Sequence, residues 1–176
     1  MTVLTTARLV LREFVEDDWA ALHAIVSLPE VVRYQTEDVF DEDATRQYLQ
    51  GIMVSARETP RLVFDFVVML DGVLIGRTGM KRGEDPRIAS MWFEIAPVHQ
   101  GKGYGAEAAR ALLGYAFEEV RLHRVWGDCD PRNPSSARVM ENIGMRREGH
   151  FVQNVFIKGE WCDSVIFAML ASEWRR

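Results

Sequence analysis

The residues best suited to chemistry form a glycine-rich segment, Gln100-Gly101-Lys102-Gly103-Tyr104-Gly105-Ala106, between a predicted strand and a predicted helix. Glycine lacks a Cβ atom, so such a loop lets the backbone approach a ligand and turn its N–H groups toward it. The start of the following helix adds partial positive charge, and both features favour an anion. The segment therefore predicts a loop that binds phosphate or pyrophosphate, although glycines that only permit tight turning would give the same pattern.

Two phosphate-binding patterns can be compared with this loop by spacing. The P-loop pattern fails because Lys102 is followed by glycine rather than by Ser or Thr, which leaves no hydroxyl for magnesium. ATP hydrolysis is therefore unsupported. The dinucleotide pattern G-x-G-x-x-A is satisfied by Gly101, Gly103 and Ala106, and residues 128–130 carry two aspartates at a suitable distance for a ribose contact. Spacing alone leaves a dinucleotide-binding oxidoreductase open.

Hydrophobic periodicity and turn residues predict the elements that must position this loop. Asp71-Gly72 lies between two runs of β-branched and large apolar residues, which predicts a β-hairpin. The predicted strands span residues 8–12, 64–70, 73–81, 90–95, 123–129, 151–157 and 161–170. The predicted helices span about residues 16–29, 41–53, 105–120 and 135–143.

The order of these elements predicts the fold class. Antiparallel strands come first, a strand-helix-strand-helix unit occupies the middle, and a hairpin closes the chain. This order favours an α/β (α+β) fold with a mixed, mostly antiparallel sheet of about seven strands and about four helices. The dinucleotide hypothesis weakens here, because one strand-helix-strand unit cannot supply a parallel sheet built from two mononucleotide-binding halves.

Length and composition narrow the function classes. The 176 residues predict a single domain over residues 1–176, and 48% hydrophobic with 27% charged residues is typical of soluble globular proteins. A net charge of −5 gives no positive field for nucleic acid or anionic lipid, so neither is an expected partner, whereas a cationic amine suits the charge. No apolar run is long enough for a signal peptide or a membrane span, which predicts a cytoplasmic protein.

Cysteine and histidine spacing gives no indication of a metal site. Cys129 and Cys162 lie far apart without a Cys-x-x-Cys pair, and the four histidines show no ligand-like spacing. We therefore expect no bound metal. Both cysteines are expected to pack as small buried residues.

A third pattern, Gln-x-x-Gly-x-Gly, is matched by Gln100, Gly103 and Gly105, and with it the chain resembles the GNAT N-acetyltransferase superfamily, in particular its RimJ/RimL-like branch. The resemblance extends over nearly the whole chain. The matching positions are Arg8-Leu9-Val10-Leu11-Arg12, Gly76, Ile95-Ala96-Pro97, Ala106-Glu107-Ala108-Ala109, residues 130–136, Gly144, Trp161 and Asp163.

The resemblance implies acetyl-CoA as co-substrate. In such proteins the backbone N–H groups of the loop hold the pyrophosphate, and the sheet splays between its fourth and fifth strands so that pantetheine pairs with an exposed edge. Pro97 fits this arrangement, since proline ends ladder pairing where the splay must begin. The cofactor-binding residues implied are Ile95, Gln100, Gly101, Lys102, Gly103, Tyr104, Gly105, Ala106 and Asn133.

The implied reaction is attack of a neutral primary amine on the thioester, which needs a group that removes the ammonium proton. Glu94 is the candidate base because it is the penultimate residue of the strand that leads into the loop, although a solvated carboxylate would look the same. Many relatives have a tyrosine as general acid in the helix before Gly144, where this chain has Met140, so Ser136 is the substitute. Asn133 and Ser136 could instead cap that helix.

Two functions of different classes follow from these residues. The first is an acetyl-CoA-dependent N-acetyltransferase that acts on a protein N-terminal α-amine or on a small-molecule amine. The second is a catalytically inactive CoA-binding sensor or partner module, which the missing tyrosine favours. Acceptor specificity is expected from Tyr34, Glu37, Asp38 and residues 154–161, because acids suit an amine pocket, although a solvated loop would have the same composition. The common assembly for such a chain is a homodimer.

Overall fold

The computed structural model describes residues 1–175, so Arg176, the last residue of the predicted domain, lies outside the described residues. Within this range the chain forms one mixed sheet with helices on both faces. Its eight strands are β1 (Val3–Thr5), β2 (Leu9–Glu13), β3 (Val63–Leu70), β4 (Val73–Arg82), β5 (Ile88–Ile95), β6 (Arg124–Cys129), β7 (Arg146–Ile157) and β8 (Glu160–Leu170). Its five α-helices are α1 (Trp19–Val26), α2 (Pro29–Val32), α3 (Glu42–Ser55), α4 (Tyr104–Gly114) and α5 (Pro134–Asn142).

The strands lie in the order β1-β2-β3-β4-β5-β6-β8-β7. Neighbouring strands are antiparallel except for β5 and β6, which run parallel. These two strands pair only over residues 88–90 against residues 124–126, although both continue beyond them. The sheet is therefore splayed between β5 and β6. They are the fourth and fifth of the predicted strands, so the predicted fold class and its splay are confirmed.

The described residues contain one strand and one helix more than the sequence predicts. β1 has only three residues, too few for alternating polarity to stand out. The helix predicted over residues 16–29 is interrupted, because α1 ends at Val26, Leu28 is extended (φ −87°, ψ 123°) and α2 begins at Pro29. Proline causes the interruption, since it disfavours helical backbone at the preceding residue and suits the first turn of a helix.

The edge strand β7 also begins earlier than predicted, at Arg146 rather than residue 151. Most of its residues are exposed because it has a neighbour on one side only. The segment from residue 146 to 150 is polar, so it carries no alternation of apolar and polar residues. Pairing with β8, rather than burial of a hydrophobic face, makes this segment a strand.

Buried side chains on both faces join the sheet to its helices. Along β3, Phe66 and Val68 belong to the larger cluster and Val67 to the smaller one, as the alternation of a strand requires. The buried stripe of α4, which packs in the larger cluster, is Ala108, Ala109, Leu112 and Leu113. The smaller cluster contains Phe14, Leu22, Val26, Leu49, Ile52 and Val67. None of the helices in residues 1–175 is both long and apolar enough to cross a membrane.

Both long hairpins turn through two residues with left-handed backbone. Asp71 (φ 49°) and Gly72 (φ 81°) join β3 to β4, as the sequence predicts. Lys158 (φ 48°) and Gly159 (φ 88°) join β7 to β8. Positive φ at both central residues matches the right-handed twist of the flanking strands. The second turn therefore fixes Lys158 at the tip of the last hairpin.

Candidate active site

The splay between β5 and β6 opens into a cleft of about 1420 Å³. The glycine loop of residues 100–106 and the start of α5 line one part of it, which we call the loop end. Residues 34–37 and parts of α3, β3, β4 and β5 line the other part, which we call the sheet end. Of the predicted cofactor and catalytic residues, Lys102 alone is not among the lining residues in the described part of the chain.

The glycine loop takes backbone conformations that glycine adopts at little cost. Gly101 has φ 73° and Gly103 has φ 82°, both in the left-handed region. Gly103 is the residue before the first turn of α4, which starts at Tyr104, one residue before the predicted helix. A Cβ atom at Gly101 would meet no other atom within 4 Å, so this part of the backbone faces open space. The loop thus leaves its N–H groups accessible at the start of a helix.

Two side chains of the loop hold it in place through backbone carbonyls. Gln100 Nε2 donates to the carbonyl oxygen of Ile95 at 2.8 Å, which ties the loop to the last residue of β5. Lys102 Nζ donates to the carbonyl oxygen of Val98 at 3.0 Å and is thereby directed away from the cleft. Both contacts are local, within five residues.

A long-range cluster, Thr6, Arg8 and Glu107, braces the loop from outside. Arg8 Nε donates to Glu107 Oε2 at 2.6 Å, and its Nη1 donates to the carbonyl oxygen of Lys102 at 3.0 Å. Thr6 Oγ1 donates to Glu107 Oε1 at 2.6 Å, and the Arg8 guanidinium lies over the Tyr104 ring at 4.6 Å. Partial burial would raise the pKa of Glu107, but the hydrogen bonds from Thr6 and Arg8 outweigh it and lower the pKa.

This brace was not predicted from the sequence. Glu107 lies in the first turn of α4, inside the helix predicted from residue 105. Arg8 had no predicted role beyond the opening strand motif. The two residues are 99 positions apart, so no local pattern connects them. An arginine in the opening motif and a glutamate in the first turn after the loop are the only signals the sequence offers.

Asn133 and Ser136 stand at the start of α5 and both line the cleft. Asn133 Oδ1 accepts a hydrogen bond from the Ser136 backbone N–H at 3.2 Å, so Asn133 is the N-cap of α5. Asn133 Nδ2 donates to Ser136 Oγ at 3.1 Å. The capping alternative is therefore observed, and cofactor contact by the same residues stays a prediction.

Met140 occupies the helix position where a tyrosine was expected. Its side chain is 1% exposed and lines the cleft floor. A Cβ atom at Gly127 in β6 would lie 3.3 Å from the Met140 sulfur, so the thioether packs directly on the strand. The position supplies packing but no hydroxyl. The tyrosines lining the cleft are Tyr34, Tyr48 and Tyr104.

A buried charged cluster, Asp65, Arg77 and Glu94, lies at the sheet end. The three residues come from the adjacent strands β3, β4 and β5, and Arg77 is the direct cross-strand partner of Glu94. Arg77 Nη1 is 3.7 Å from Asp65 Oδ2, and Arg77 Nε is 3.5 Å from Glu94 Oε1. Arg77 also donates from Nη1 to the hydroxyl of Tyr48 in α3. Of these three residues, only Glu94 was predicted from the sequence to belong to the site.

Burial governs the titration of this cluster. It raises the pKa of Asp65 to about 6, although the Arg77 charge acts in the opposite direction. Burial alone would lower the pKa of Arg77, but the negative charges of Glu94 and Asp65 outweigh it and raise the pKa. Burial also raises the pKa of the Tyr48 hydroxyl. The guanidinium therefore stays charged between two carboxyl groups that differ in their surroundings.

Gly76 brings β4 and β5 together beside this cluster. A Cβ atom at Gly76 would lie 2.1 Å from the carbonyl oxygen of Glu94, closer than atoms in contact can come. The φ of Gly76 is not positive, so the requirement here is space rather than backbone conformation. This close approach fixes the backbone of Glu94 and explains the glycine.

The predicted acceptor segments meet at the sheet end. Gln35 Nε2 donates to Glu94 Oε2 at 2.9 Å, and Lys158 Nζ donates to the carbonyl oxygen of Val32 at 2.6 Å. Tyr34, Glu37, Val155 and Ile157 line the cleft, as expected for these segments. Asp38 and Trp161 are exposed and do not line it. The tip of the last hairpin is thus attached to the segment that contacts Glu94.

These features define the class of protein. The family model for the GNAT acetyltransferase domain matches residues 8–146, and the chain belongs to this family. The sequence is 35% identical over 171 residues to the uncharacterized N-acetyltransferase YnaD of Bacillus subtilis, which covers 97% of this chain and 98% of YnaD. The protein is therefore an acyltransferase of the N-acetyltransferase type.

Solved structures agree with this assignment. A GNAT-family acetyltransferase from Bacillus anthracis superposes with a TM-score of 0.88 at 34% identity, over 98% of this chain and all of that one. Spermidine N-acetyltransferase from Vibrio cholerae, in complex with CoA and spermine, gives 0.83 at 25% identity, over 96% of this chain and 98% of that one. RimL, a ribosomal L7/L12 α-N-protein acetyltransferase in complex with CoA, shares the fold at 19% identity, with a TM-score of 0.86 over 96% and 98% of the two chains.

Proposed function

We propose that this protein is an acetyl-CoA-dependent N-acetyltransferase of the RimJ/RimL-like branch, which moves an acetyl group to a primary amine by direct attack on the thioester. The observation that carries the proposal is a single cleft in which a splayed strand edge and a left-handed glycine loop lie beside a buried carboxylate, Glu94. Family membership supports the reaction class. The acceptor is a protein N-terminal α-amine or a small-molecule amine of the cytoplasm.

The loop end has the shape and the charge that the phosphates of acetyl-CoA require. The backbone at Gly101 faces open space, and the start of α4 directs free N–H groups and the positive end of its dipole to the same side. In β5, residues 91–95 continue past the last pair with β6 and offer an edge for pantetheine. We assign cofactor binding to Ile95, Gln100, Gly101, Gly103, Tyr104, Gly105, Ala106 and Asn133, and to the backbone of Lys102, whose side chain is held by the carbonyl oxygen of Val98.

We assign Glu94 as the general base. It takes up, directly or through water, the proton that the acceptor ammonium loses before its nitrogen attacks the acetyl carbonyl carbon. A C–N bond forms, the thioester C–S bond breaks, and the electron pair stays on the CoA sulfur. A thiol has a reference pKa of about 8.5, so this thiolate can leave before it is protonated. The nitrogen loses a second proton as the amide forms, and Ser136 Oγ, held by Asn133, is assigned to accept that proton while it passes its own to the thiolate.

The charges of the sheet end favour a cationic acceptor. Two carboxyl groups, Asp65 and Glu94, face a single guanidinium, Arg77. A positively charged amine therefore compensates negative charge in the cleft. The spermidine N-acetyltransferase that holds spermine supports a small amine, and RimL supports a protein N-terminus. An α-amine, with a reference pKa near 8, needs less help from a base than a lysine side chain.

Thermal denaturation with acetyl-CoA, CoA, NAD and NADP in turn tests the cofactor. A ligand that binds only the folded protein raises its stability, so acetyl-CoA and CoA are expected to raise the melting temperature and the dinucleotides to leave it unchanged. A shift with NAD or NADP alone would overturn the proposal, because the glycine loop would then belong to a dinucleotide site.

Turnover with a panel of primary amines tests the reaction, with release of the CoA thiol as the measurement. Glu94→Gln is expected to lower kcat by roughly 10²- to 10⁴-fold, the usual contribution of a general base. Asp85→Asn is the matched control, because Asp85 is exposed, bonds Arg87 and lies outside the cleft. An unchanged rate and pH profile in Glu94→Gln would remove Glu94 from the mechanism.

The second candidate is a CoA-binding sensor without turnover. Two observations favour it: Met140 supplies no hydroxyl, and Gln35 already occupies one oxygen of Glu94. Stabilisation by CoA together with no acetylated product from any amine in the panel would support this function and contradict the first.

A further inference from the structure

We propose that Arg138 of α5 binds the phosphate group on the ribose of CoA, so that the outer face of this helix forms a site for the adenosine end of the cofactor. This inference rests on the proposed function, because it takes acetyl-CoA as the co-substrate. It adds a residue and a ligand group, a phosphate monoester, to the contacts already assigned to the glycine loop.

The observation that points to Arg138 is an arginine side chain at the cleft whose charge is not used within the fold. Arg138 lines the cleft and is exposed. In the described part of the chain its guanidinium makes no hydrogen bond, ion pair or ring contact. Arg132, which also lines the cleft, is held by Asp130 at 2.7 Å and Glu160 at 2.8 Å, and the Lys102 amine is held by a backbone carbonyl. The guanidinium of Arg138 is therefore available to an anionic ligand.

Packing of α5 places Arg138 at the outer rim of the glycine loop. A Cβ atom at Gly105, in the first turn of α4, would lie 3.6 Å from Val139 Cγ2, so Val139 faces the start of α4. The next residue, Met140, packs on Gly127 of β6. Successive side chains of an α-helix point about 100° apart. The residue before these two therefore points away from the sheet, toward solvent beside the start of α4.

Two neutral polar residues share this face of α5 with Arg138. Ser135 precedes it by three residues and Asn142 follows it by four, and these spacings put side chains on one side of a helix. All three side chains are exposed and line the cleft. Hydroxyl and amide groups can form hydrogen bonds with the hydroxyl group of a ribose or the nitrogen atoms of adenine. The face thus offers one cation beside neutral polar groups, which suits a phosphorylated nucleoside.

The order of groups in CoA brings the ribose phosphate to this face. The pyrophosphate lies between pantetheine and ribose, and the glycine loop is its assigned site. Pantetheine leaves the loop along β5 toward Glu94, so the ribose leaves it on the other side, where α5 presents Arg138. A phosphate monoester carries about two negative charges at neutral pH, and the chain has a net charge of −5. A local cation is therefore needed, and the planar guanidinium of arginine matches phosphate oxygens.

Calorimetric titration with CoA and with dephospho-CoA, which lacks only the ribose phosphate, tests the contact without any acceptor. The wild type is expected to bind CoA about tenfold more tightly than dephospho-CoA, which corresponds to one charge-assisted hydrogen-bonded contact. Arg138→Gln should weaken the binding of CoA by about the same factor and leave that of dephospho-CoA unchanged. Arg138→Lys keeps the charge without the planar donor group, so its preference for CoA should be intermediate.

Arg57→Gln is the matched control for this titration. It removes the same charge from an exposed arginine that lies outside the cleft, and it should leave both affinities unchanged. An effect of net charge alone would instead weaken CoA equally in Arg57→Gln and Arg138→Gln, and that result would overturn the inference. Because both side chains are exposed, both variants should melt near the temperature of the wild type.

The outcomes separate this inference from the proposed function. Equal affinity of the wild type for the two ligands, or a preference for CoA that persists in Arg138→Gln, overturns the inference and leaves the proposed function standing. The expected preference without turnover of any amine overturns the proposed function and supports the inference. If neither CoA nor acetyl-CoA binds, both are wrong.

Discussion

One charged cluster braces the glycine loop from outside the cleft and another lines the sheet end, and the two clusters are built differently. At the loop end, Arg8 and Glu107 meet at 2.6 Å and the arginine side chain is 46% exposed. At the sheet end, Arg77 is 11% exposed and lies 3.7 Å from Asp65 and 3.5 Å from Glu94. The first cluster is a short, partly exposed ion pair. In the second cluster, one largely buried guanidinium is shared by two carboxyl groups at longer distances.

The pKa values of Glu107 and Asp65 are shifted in opposite directions. The pKa of Glu107 is lowered by its hydrogen bonds, so its negative charge is stable in the fold. The pKa of Asp65 is raised to about 6 by burial, so its negative charge is disfavoured. Closed pairs of this kind hold backbone segments together. An open buried cluster weakens the fold and suits a place where charge must change during function.

The largest expected effect comes from disrupting the sheet end alone. Gly76→Ala places a Cβ atom 2.1 Å from the carbonyl oxygen of Glu94 and should separate β4 from β5, at a cost of about 3 kcal/mol in the free energy of unfolding. Chemical denaturation measures it. Gly51→Ala is the control, because its Cβ meets nothing within 4 Å in the helix α3, and it should stabilise by about 0.5–1 kcal/mol. Equal stabilities for the two variants would contradict the close approach.

The pH dependence of stability should reveal the cost of burying the negative charge of Asp65. Its folded pKa of about 6 lies above the ordinary value of 3.8, so the folded state binds more protons than the unfolded state between these values. The free energy of unfolding should therefore fall as pH rises through this window, by roughly 2–3 kcal/mol from this group. Denaturation of wild type and Asp65→Asn at several pH values measures it. A variant with the same slope as the wild type would show that Asp65 is not the source.

The smallest effect is expected at the loop end. Arg8→Met should lower stability by less than about 1 kcal/mol, because the ion pair is partly exposed and screened by solvent. Glu107 contributes to the free energy of unfolding with a pH dependence opposite to that of Asp65. Its stabilisation is present above the ordinary glutamate pKa and is lost as pH falls through the lowered pKa of the folded state. Melting temperatures at low and high salt measure the Arg8 effect, which should shrink with salt. A large, salt-independent loss would mean that Arg8 acts through packing.

Local features of the site were predictable from the sequence. Gly101, Gly103 and the turn at Asp71-Gly72 need a left-handed backbone, and glycine spacing signals this directly. The caps of α5 and the position of Glu94 beside the loop follow from neighbours within a few residues. The splay itself was predicted from the family resemblance rather than from periodicity.

The clusters were not predictable, because their members are distant in sequence. Thr6 and Arg8 lie between β1 and β2 and meet Glu107 of α4 only through tertiary packing, and β1 is too short to detect. Asp65 and Arg77 lie in apolar strands, where a charged residue is expected to face solvent. Asp65 is nevertheless buried, and the Arg77 side chain is only 11% exposed. Register across three strands decides these contacts, and a single sequence does not contain it.

The short pairing between β5 and β6 also has a mechanical meaning. The sheet consists of two parts, β1 to β5 and β6 to β8. They are joined at one end by three residue pairs between β5 and β6 and are unpaired at the other end. Resistance to movement of one part against the other therefore rests on these three residue pairs and on the helices packed across them.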